Sequence, residues 1–137
     1  MNVLGNKVVL VTGAGSGFGA GIAESCVNAG ATVGLLDLNL TAAAEVASRL
    51  GSRAIALEGD VTSEPSMRNA IDLLENNAGP LDIVVNNAGI GLPPTAMEDV
   101  SAEDFQRLCD VNMRSIYVCG RVVVPAFKRR QKGVILN

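Results

Sequence analysis

The sequence predicts an α/β fold, a doubly wound parallel sheet with helices on both faces. Five short runs rich in β-branched and other apolar residues recur along 137 residues. They are mostly continuous rather than alternating, as in parallel strands covered on both faces. Longer stretches of helical character separate them, and strand–helix alternation at this spacing builds βαβ units.

The elements follow in order. "KVVLVT" (Lys7–Thr12) is the first strand, and the glycine-rich "TGAGSGFGAG" joins it to a helix over about 18–29. "TVGLLD" (Thr32–Asp37) is the second strand; the helix over 40–50 begins its first turn at Asn39 or Thr41. "AIALEG" (Ala54–Gly59) is the third, followed by a helix over 63–78 with Ser63 as its cap. Gly79 and Pro80 stop that helix. "LDIVVN" (Leu81–Asn86) is the fourth strand and "GVILN" (Gly133–Asn137) the fifth, with a long helix over 103–131 between them. Pro125 should kink or end that helix locally. No linker, repeat or low-complexity segment interrupts the chain, so 1–137 reads as a single domain.

Composition narrows the function. At 48% hydrophobic residues the chain can build a real core. A net charge of −3 and the lack of any histidine argue against a nucleic-acid-binding surface and against histidine as base or metal ligand. Cys26, Cys109 and Cys119 are too irregularly spaced for disulfides or zinc, and read as small buried apolar residues. No apolar run approaches the roughly 20 residues that cross a membrane. "KVVLV" runs into a glycine loop rather than a cleavage site, so a signal peptide is not expected and a cytoplasmic setting is the default.

The tetrapeptide Asn-Asn-Ala-Gly occurs twice, at Asn76–Gly79 and at Asn86–Gly89. The first copy closes a helix, so its asparagines belong to a solvated last turn. The second follows a central strand at its carboxyl end, where open α/β sheets bind ligands. It is the functional candidate.

Glycines between a strand and a helix let the chain turn sharply and let phosphate oxygens approach helix N-terminal amides. That end carries roughly +0.5 of a charge. No Lys-Ser or Lys-Thr follows, which argues against a mononucleotide P-loop, and the strict G-x-G-x-x-G spacing is absent. Thr12, Gly13, Gly17 and Gly19 instead form T-G-x-x-x-G-x-G. Helix–strand packing can also demand glycine, but this placement favours a dinucleotide. Asp37 ends the second strand 18 residues beyond Gly19. A carboxylate there can accept hydrogen bonds from ribose hydroxyls and would repel a 2′-phosphate. It could equally start the next helix. With no Arg or Lys nearby, NAD is favoured over NADP.

These residues resemble the short-chain dehydrogenase/reductase family, in its compact form. The resemblance runs from "VVLVTGAGSGFG" through "DV" (Asp60–Val61) and "NNAG" (Asn86–Gly89) to "GVILN", in the family's order and spacing. It implies a Rossmann-type domain in which Gly13, Ser16, Gly17, Phe18 and Gly19 surround the pyrophosphate and nearby ribose. The family often has isoleucine or leucine where Phe18 stands. Asp60 and Val61 would flank the adenine, though Asp60 also suits a turn ahead of Ser63. Asn87, Ala88 and Gly89 would line the nicotinamide-side ribose.

On a helix from Glu103, the residues Phe105, Leu108, Cys109, Ile116, Cys119 and Val123 fall on one face, with Asn112 in its middle. A buried amide without partners costs about 1–3 kcal/mol, so Asn112 should be paired. It could knit helix to sheet; the resemblance instead gives it a catalytic part, helping to hold a proton-relay water. Arg107, Arg114, Arg121 and Lys128 recur every seven residues as a solvated face or as ion pairs at a subunit contact. Val111, Val118 and Val122 form a second apolar strip, and the family uses this helix in dimers; a homo-oligomer, dimer or tetramer, is implied.

The family's catalytic serine lies a couple of residues past "VILN", and its Tyr-x-x-x-Lys pair follows. Neither falls within the 137 residues, and Tyr117 is followed four residues later by Arg121. The sheet is therefore expected to be incomplete at its C-terminal side, with "GVILN" an uncovered apolar edge. The reading is the cofactor-binding part of an NAD-dependent oxidoreductase acting on an alcohol or carbonyl substrate. The alternatives are a non-catalytic NAD-binding or interaction module ending at Asn137, or a truncation product that does not fold.

Overall fold

A computed structural model describes residues 2–137. The strands are β1 (Val8–Thr12), β2 (Thr32–Asp37), β3 (Ala54–Glu58), β4 (Ile83–Val85) and β5 (Val134–Leu136). They form one parallel sheet in the order β3-β2-β1-β4-β5. Val9 of β1 stands between Val33 and Ile83. The chain winds outward from β1 through β2 to β3, then returns to place β4 on β1's other side. The order thus reverses between β1 and β4, and loops leaving their carboxyl ends diverge to open a crevice there.

Helices α1 (Gly17–Asn28) and α2 (Leu40–Leu50) follow β1 and β2. With Ala23, Ala43 and Val46 they cover Val9, Val11, Val33 and Leu35. Helix α3 (Glu64–Ala78) and the final helix cover Leu10, Leu36, Leu57 and Val84 with Met67, Leu74, Val118 and Phe127. Every residue of β1 is buried, which is why its sequence shows no polar alternation. Each such aliphatic side chain contributes about 1.5–3 kcal/mol on burial.

Local chemistry sets the ends. The side chains of Asn39, Ser63 and Ser101 accept from the amides of Ala42, Ser66 and Asp104 at 3.0, 3.3 and 3.0 Å. Gly79 closes α3 at φ +93°, so the first Asn-Asn-Ala-Gly copy is a helix stop, with Asn76 and Asn77 exposed.

The long helix expected over 103–131 is interrupted. Helix α4 (Ala102–Cys109) leads into a π turn, Asp110–Arg114, before α5 (Ser115–Arg130). The wider turn inserts a residue and rotates everything after it. The buried face of α5 is Ser115, Val118, Cys119, Val122, Val123 and Phe127. Val118 and Val122, read as a second strip, are therefore core. Phe105, 60% exposed, and Ile116, 37% exposed, leave the predicted stripe, and Asn112 is exposed rather than buried. Pro125 does not end the helix, which runs on to Arg130. It sits on an exposed position, where water can serve the carbonyl that loses its donor.

Strand β5 is fastened at its base. The buried carboxylate of Asp82 accepts from the Val8 amide at 3.0 Å and pairs with Lys132 at 2.8 Å. Arg130 donates to the Leu81 carbonyl and lies over the Phe127 ring, 5.6 Å from its centre. The chain's terminal cations thus do more than face a helix dipole. Among the described residues no helix is long and apolar enough to cross a membrane.

Candidate cofactor-binding site

A cleft of ≈ 390 Å³ opens at the carboxyl ends of β1, β2 and β4. Its floor is a latch between the glycine loop and the second Asn-Asn-Ala-Gly copy. The buried Thr12 hydroxyl accepts from the amides of Asn87 and Ala88, both at 3.0 Å. The Asn87 side-chain amide donates back to the carbonyls of Thr12 at 3.0 Å and Gly13 at 3.3 Å. Gly13 adopts φ +64°, and a Cβ there would lie 2.9 Å from the Ala88 Cα. The two segments meet backbone to backbone, which only glycine permits.

Gly13, Ser16, Gly17 and Phe18 line the cleft on the loop side. Gly17, at φ +54°, has open space where a Cβ would stand. Ser16 caps α1 by position only; its side chain makes no capping bond, so it satisfies none of the first amides of the helix, whose first two residues line the cleft. Gly19 does not line the cleft. It is buried beneath the loop, where a Cβ would come within 2.2 Å of the Gly13 carbonyl oxygen.

Asp37, Asp60 and Val61 line the other end of the cleft. The Asp37 carboxylate is held at both oxygens, by the Gly15 amide at 2.9 Å and the Asn39 amide at 3.0 Å. Each oxygen accepts one backbone bond and keeps a further lone pair for another donor. No Lys or Arg is among the residues lining this cleft. Asp60 accepts from the Thr62 amide and hydroxyl at 2.8 and 2.7 Å, so it forms the turn ahead of α3 while bordering the cleft.

Asn87, Ala88 and Gly89 line the third side. Asn112 approaches from the π turn: its amide accepts from the Ile90 amide at 2.8 Å and donates to the Ile90 carbonyl at 2.9 Å. These are the bonds of an asparagine that knits helix to sheet-edge loop. Asn112 itself does not line the cleft, although its oxygen would lie 3.3 Å from a Cβ on Gly89. Nearby, burial pushes the Cys119 thiol up to about 11, so it stays protonated.

Sequence reasoning passed over Thr12 as a site residue, along with Gly15, Leu36, Leu38, Gly59, Ile90 and Val111. For Thr12 a signal existed: a threonine ending a buried strand needs an acceptor or donor, and the glycine motif begins with it. Leu38, 70% exposed at the cleft rim, carried none.

Comparison with known proteins identifies the family. A family model described as short chain dehydrogenase matches residues 7–137. The 7alpha-hydroxysteroid dehydrogenase of Escherichia coli (strain K12) is 37% identical over 137 residues, covering 98% of this chain and 53% of its own length. Cyclopentanol dehydrogenase of Comamonas sp. (strain NCIMB 9872) is 37% identical over 141 residues, covering 100% of this chain and 56% of its own. Among solved structures, the 3-ketoacyl-(acyl-carrier-protein) reductase from Brucella melitensis complexed with NADH superposes with a TM-score of 0.93. It is 40% identical, over 98% of this chain and 57% of that one. The chain spans about half the length of the curated relatives it matches.

Proposed function

Since this chain belongs to the short-chain dehydrogenase family, we propose that it binds NAD and supplies the cofactor-binding part of an oxidoreductase acting on an alcohol or carbonyl group. The observation that carries the NAD reading is the Asp37 carboxylate, fixed at the cleft by the Gly15 and Asn39 amides with no cation lining the cleft beside it. Two ribose hydroxyls can donate to it, whereas a 2′-phosphate would meet a second anion.

The cleft residues fit a dinucleotide. The uncapped start of α1 and the open space over Gly17 suit a pyrophosphate, which the helix dipole favours. Val61, Leu36 and Leu38 offer apolar surface for the adenine, and the Asn87–Gly89 backbone borders the nicotinamide-side ribose. A bound nicotinamide supplies the hydride acceptor or donor. The chain's own part is to bind and orient. Asn112 holds the Ile90 backbone that closes this end of the cleft. We assign no proton transfer to Tyr117, which is exposed on α5, one turn before an Arg121 engaged with Glu64 at 3.0 Å.

The substrate class rests on relatives named for a hydroxysteroid and for cyclopentanol. Self-association as a dimer or tetramer, in a cytoplasmic setting, belongs to the same proposal; exposed Phe105, Met113, Ile116 and Tyr117 on α4, the π turn and α5 support it. Fluorescence titration tests the cofactor reading: NADH should bind roughly tenfold more tightly than NADPH. Equal affinity, or no binding of either, would overturn it.

A further inference from the structure

We propose that Gly15 is a specificity-positioning residue, whose missing side chain and amide together seat the Asp37 carboxylate for the adenosine ribose. The inference rests on the NAD reading of Asp37 and asks what holds that carboxylate in place.

Gly15 lies between the glycines that shape the loop, and its φ is not in the left-handed region. No backbone conformation requires glycine at this position. Space does. A Cβ on Gly15 would stand 2.8 Å from Asp37 Oδ2, 3.0 Å from Asp37 Cγ and 3.0 Å from the Ala42 Cβ. Carbon cannot approach carboxylate oxygen that closely, and Ala42 is fixed in α2, so the carboxylate is the group that must swing away. The Gly15 amide, 2.9 Å from the same Oδ2, then loses its acceptor. On the other oxygen the Asn39 amide, at 3.0 Å, cannot hold the carboxylate alone against that contact. Glycine here does two things with one atom fewer: it donates to the carboxylate and leaves room for it to be reached.

The seat matters because a ribose diol needs both oxygens in a fixed plane. Each oxygen already spends one lone pair on the protein backbone, so only one orientation presents the remaining two toward the cleft. A displaced Asp37 still repels a 2′-phosphate but no longer receives both hydroxyls. Loss of the seat should therefore penalise NADH while leaving NADPH nearly where it was. A general distortion of the pyrophosphate loop would weaken both equally.

The experiment is NADH and NADPH titration of the 137-residue chain and of Gly15→Ala, Asp37→Ala and the double variant, with thermal melts of each. Gly15→Ala should raise the NADH Kd roughly tenfold with little change for NADPH. In the Asp37→Ala background the same change should add nothing. Asp37→Glu, which lengthens the arm and leaves the loop untouched, should lose NADH affinity in the same selective way, and it decides the matter if Gly15→Ala fails to fold. If Asp37→Ala alters the NADH-to-NADPH ratio while Gly15→Ala and Asp37→Glu do not, the positioning role is wrong and the NAD reading stands. An equal loss for both nucleotides in Gly15→Ala also overturns it. If Asp37→Ala leaves the ratio unchanged, the NAD reading itself falls, and the inference with it.

Discussion

Thr12 and Asn87, 75 residues apart, are joined by two hydrogen bonds of 3.0 Å, in which the backbone and side-chain amides of Asn87 donate to the hydroxyl and carbonyl of Thr12. The Thr12 hydroxyl also receives the Ala88 amide. One oxygen thus fixes the spacing of the two segments that form the cleft. Thr12→Val keeps the shape and removes the acceptor, leaving the Ala88 amide unsatisfied and the Asn87 amide with the Val85 carbonyl alone, at 3.0 Å. We expect a loss of about 1–3 kcal/mol in urea unfolding, together with weaker NADH binding. Thr12→Ser should retain most of both. A valine variant as stable as the parent would remove the latch from the account.

Gly19 and Gly21 lie two residues apart in α1 and should respond oppositely to alanine. At Gly19 the new Cβ meets backbone, the Gly13 carbonyl oxygen at 2.2 Å, which no side-chain rotation relieves. The loop must shift, at a cost of about 1–3 kcal/mol. At Gly21 nothing lies within 4 Å, and alanine should stabilise the helix by up to about 1 kcal/mol. Chemical denaturation of the two variants checks the contrast; similar values for both would show that the loop is not close-packed on α1.

Much of this fold was legible because its signals are local. Continuous apolar runs gave the strands, and the glycine motif fell between the first strand and the first helix. Gly79 and Asn86 separated the two identical tetrapeptides by what precedes each. The final helix was not legible in the same way. A 3.6-residue period carried through Asp110–Arg114 puts Ile116 inside and Val118 outside, and the π turn reverses both. No residue in "DVNMR" announces that turn; it arises where Asn112 must reach the Ile90 backbone while α5 packs on the sheet. The site shows the same division. Residues of the glycine and Asn-Asn-Ala-Gly motifs could be named from sequence, but the Gly15–Asp37 contact could not. It depends on the parallel register that sets β1 beside β2.

Asn112 offers a direct probe of that turn. Its amide makes two hydrogen bonds to one half-buried loop residue, Ile90, so each contributes about 0.5–1.5 kcal/mol locally rather than to the global core. Asn112→Ala should speed hydrogen exchange at the Ile90 amide roughly tenfold or more, with a much smaller change in global unfolding. Unaltered exchange at Ile90 would mean that the loop is held by other contacts.

The base of β5 gives the pH dependence. Burial alone would raise the Asp82 carboxyl, but the Lys132 hydrogen bond, the Val8 amide and the charges of Lys132 and Lys7 outweigh it and hold it below the usual range. A depressed carboxyl contributes stability that is fully present above the unfolded value, about 3.9, and is lost as pH falls through the folded one. Lys132 behaves conversely. Its bond to Asp82 raises its pKa, so its part is complete below about 10.4 and fades as pH rises through the folded value. The pair should therefore support β5 between about pH 4 and pH 10. Asp82→Asn keeps an oxygen for the Val8 amide and removes only the charge, so it isolates this term. Urea melts should find the parent more stable than Asp82→Asn at pH 7, with the gap closing as pH falls below about 4. Asp82→Ala also strips the Val8 amide of its acceptor and should lose a further 1–3 kcal/mol or so at every pH. A gap between parent and Asp82→Asn that persists undiminished at pH 2 would show that the carboxylate's charge is not what fastens the strand.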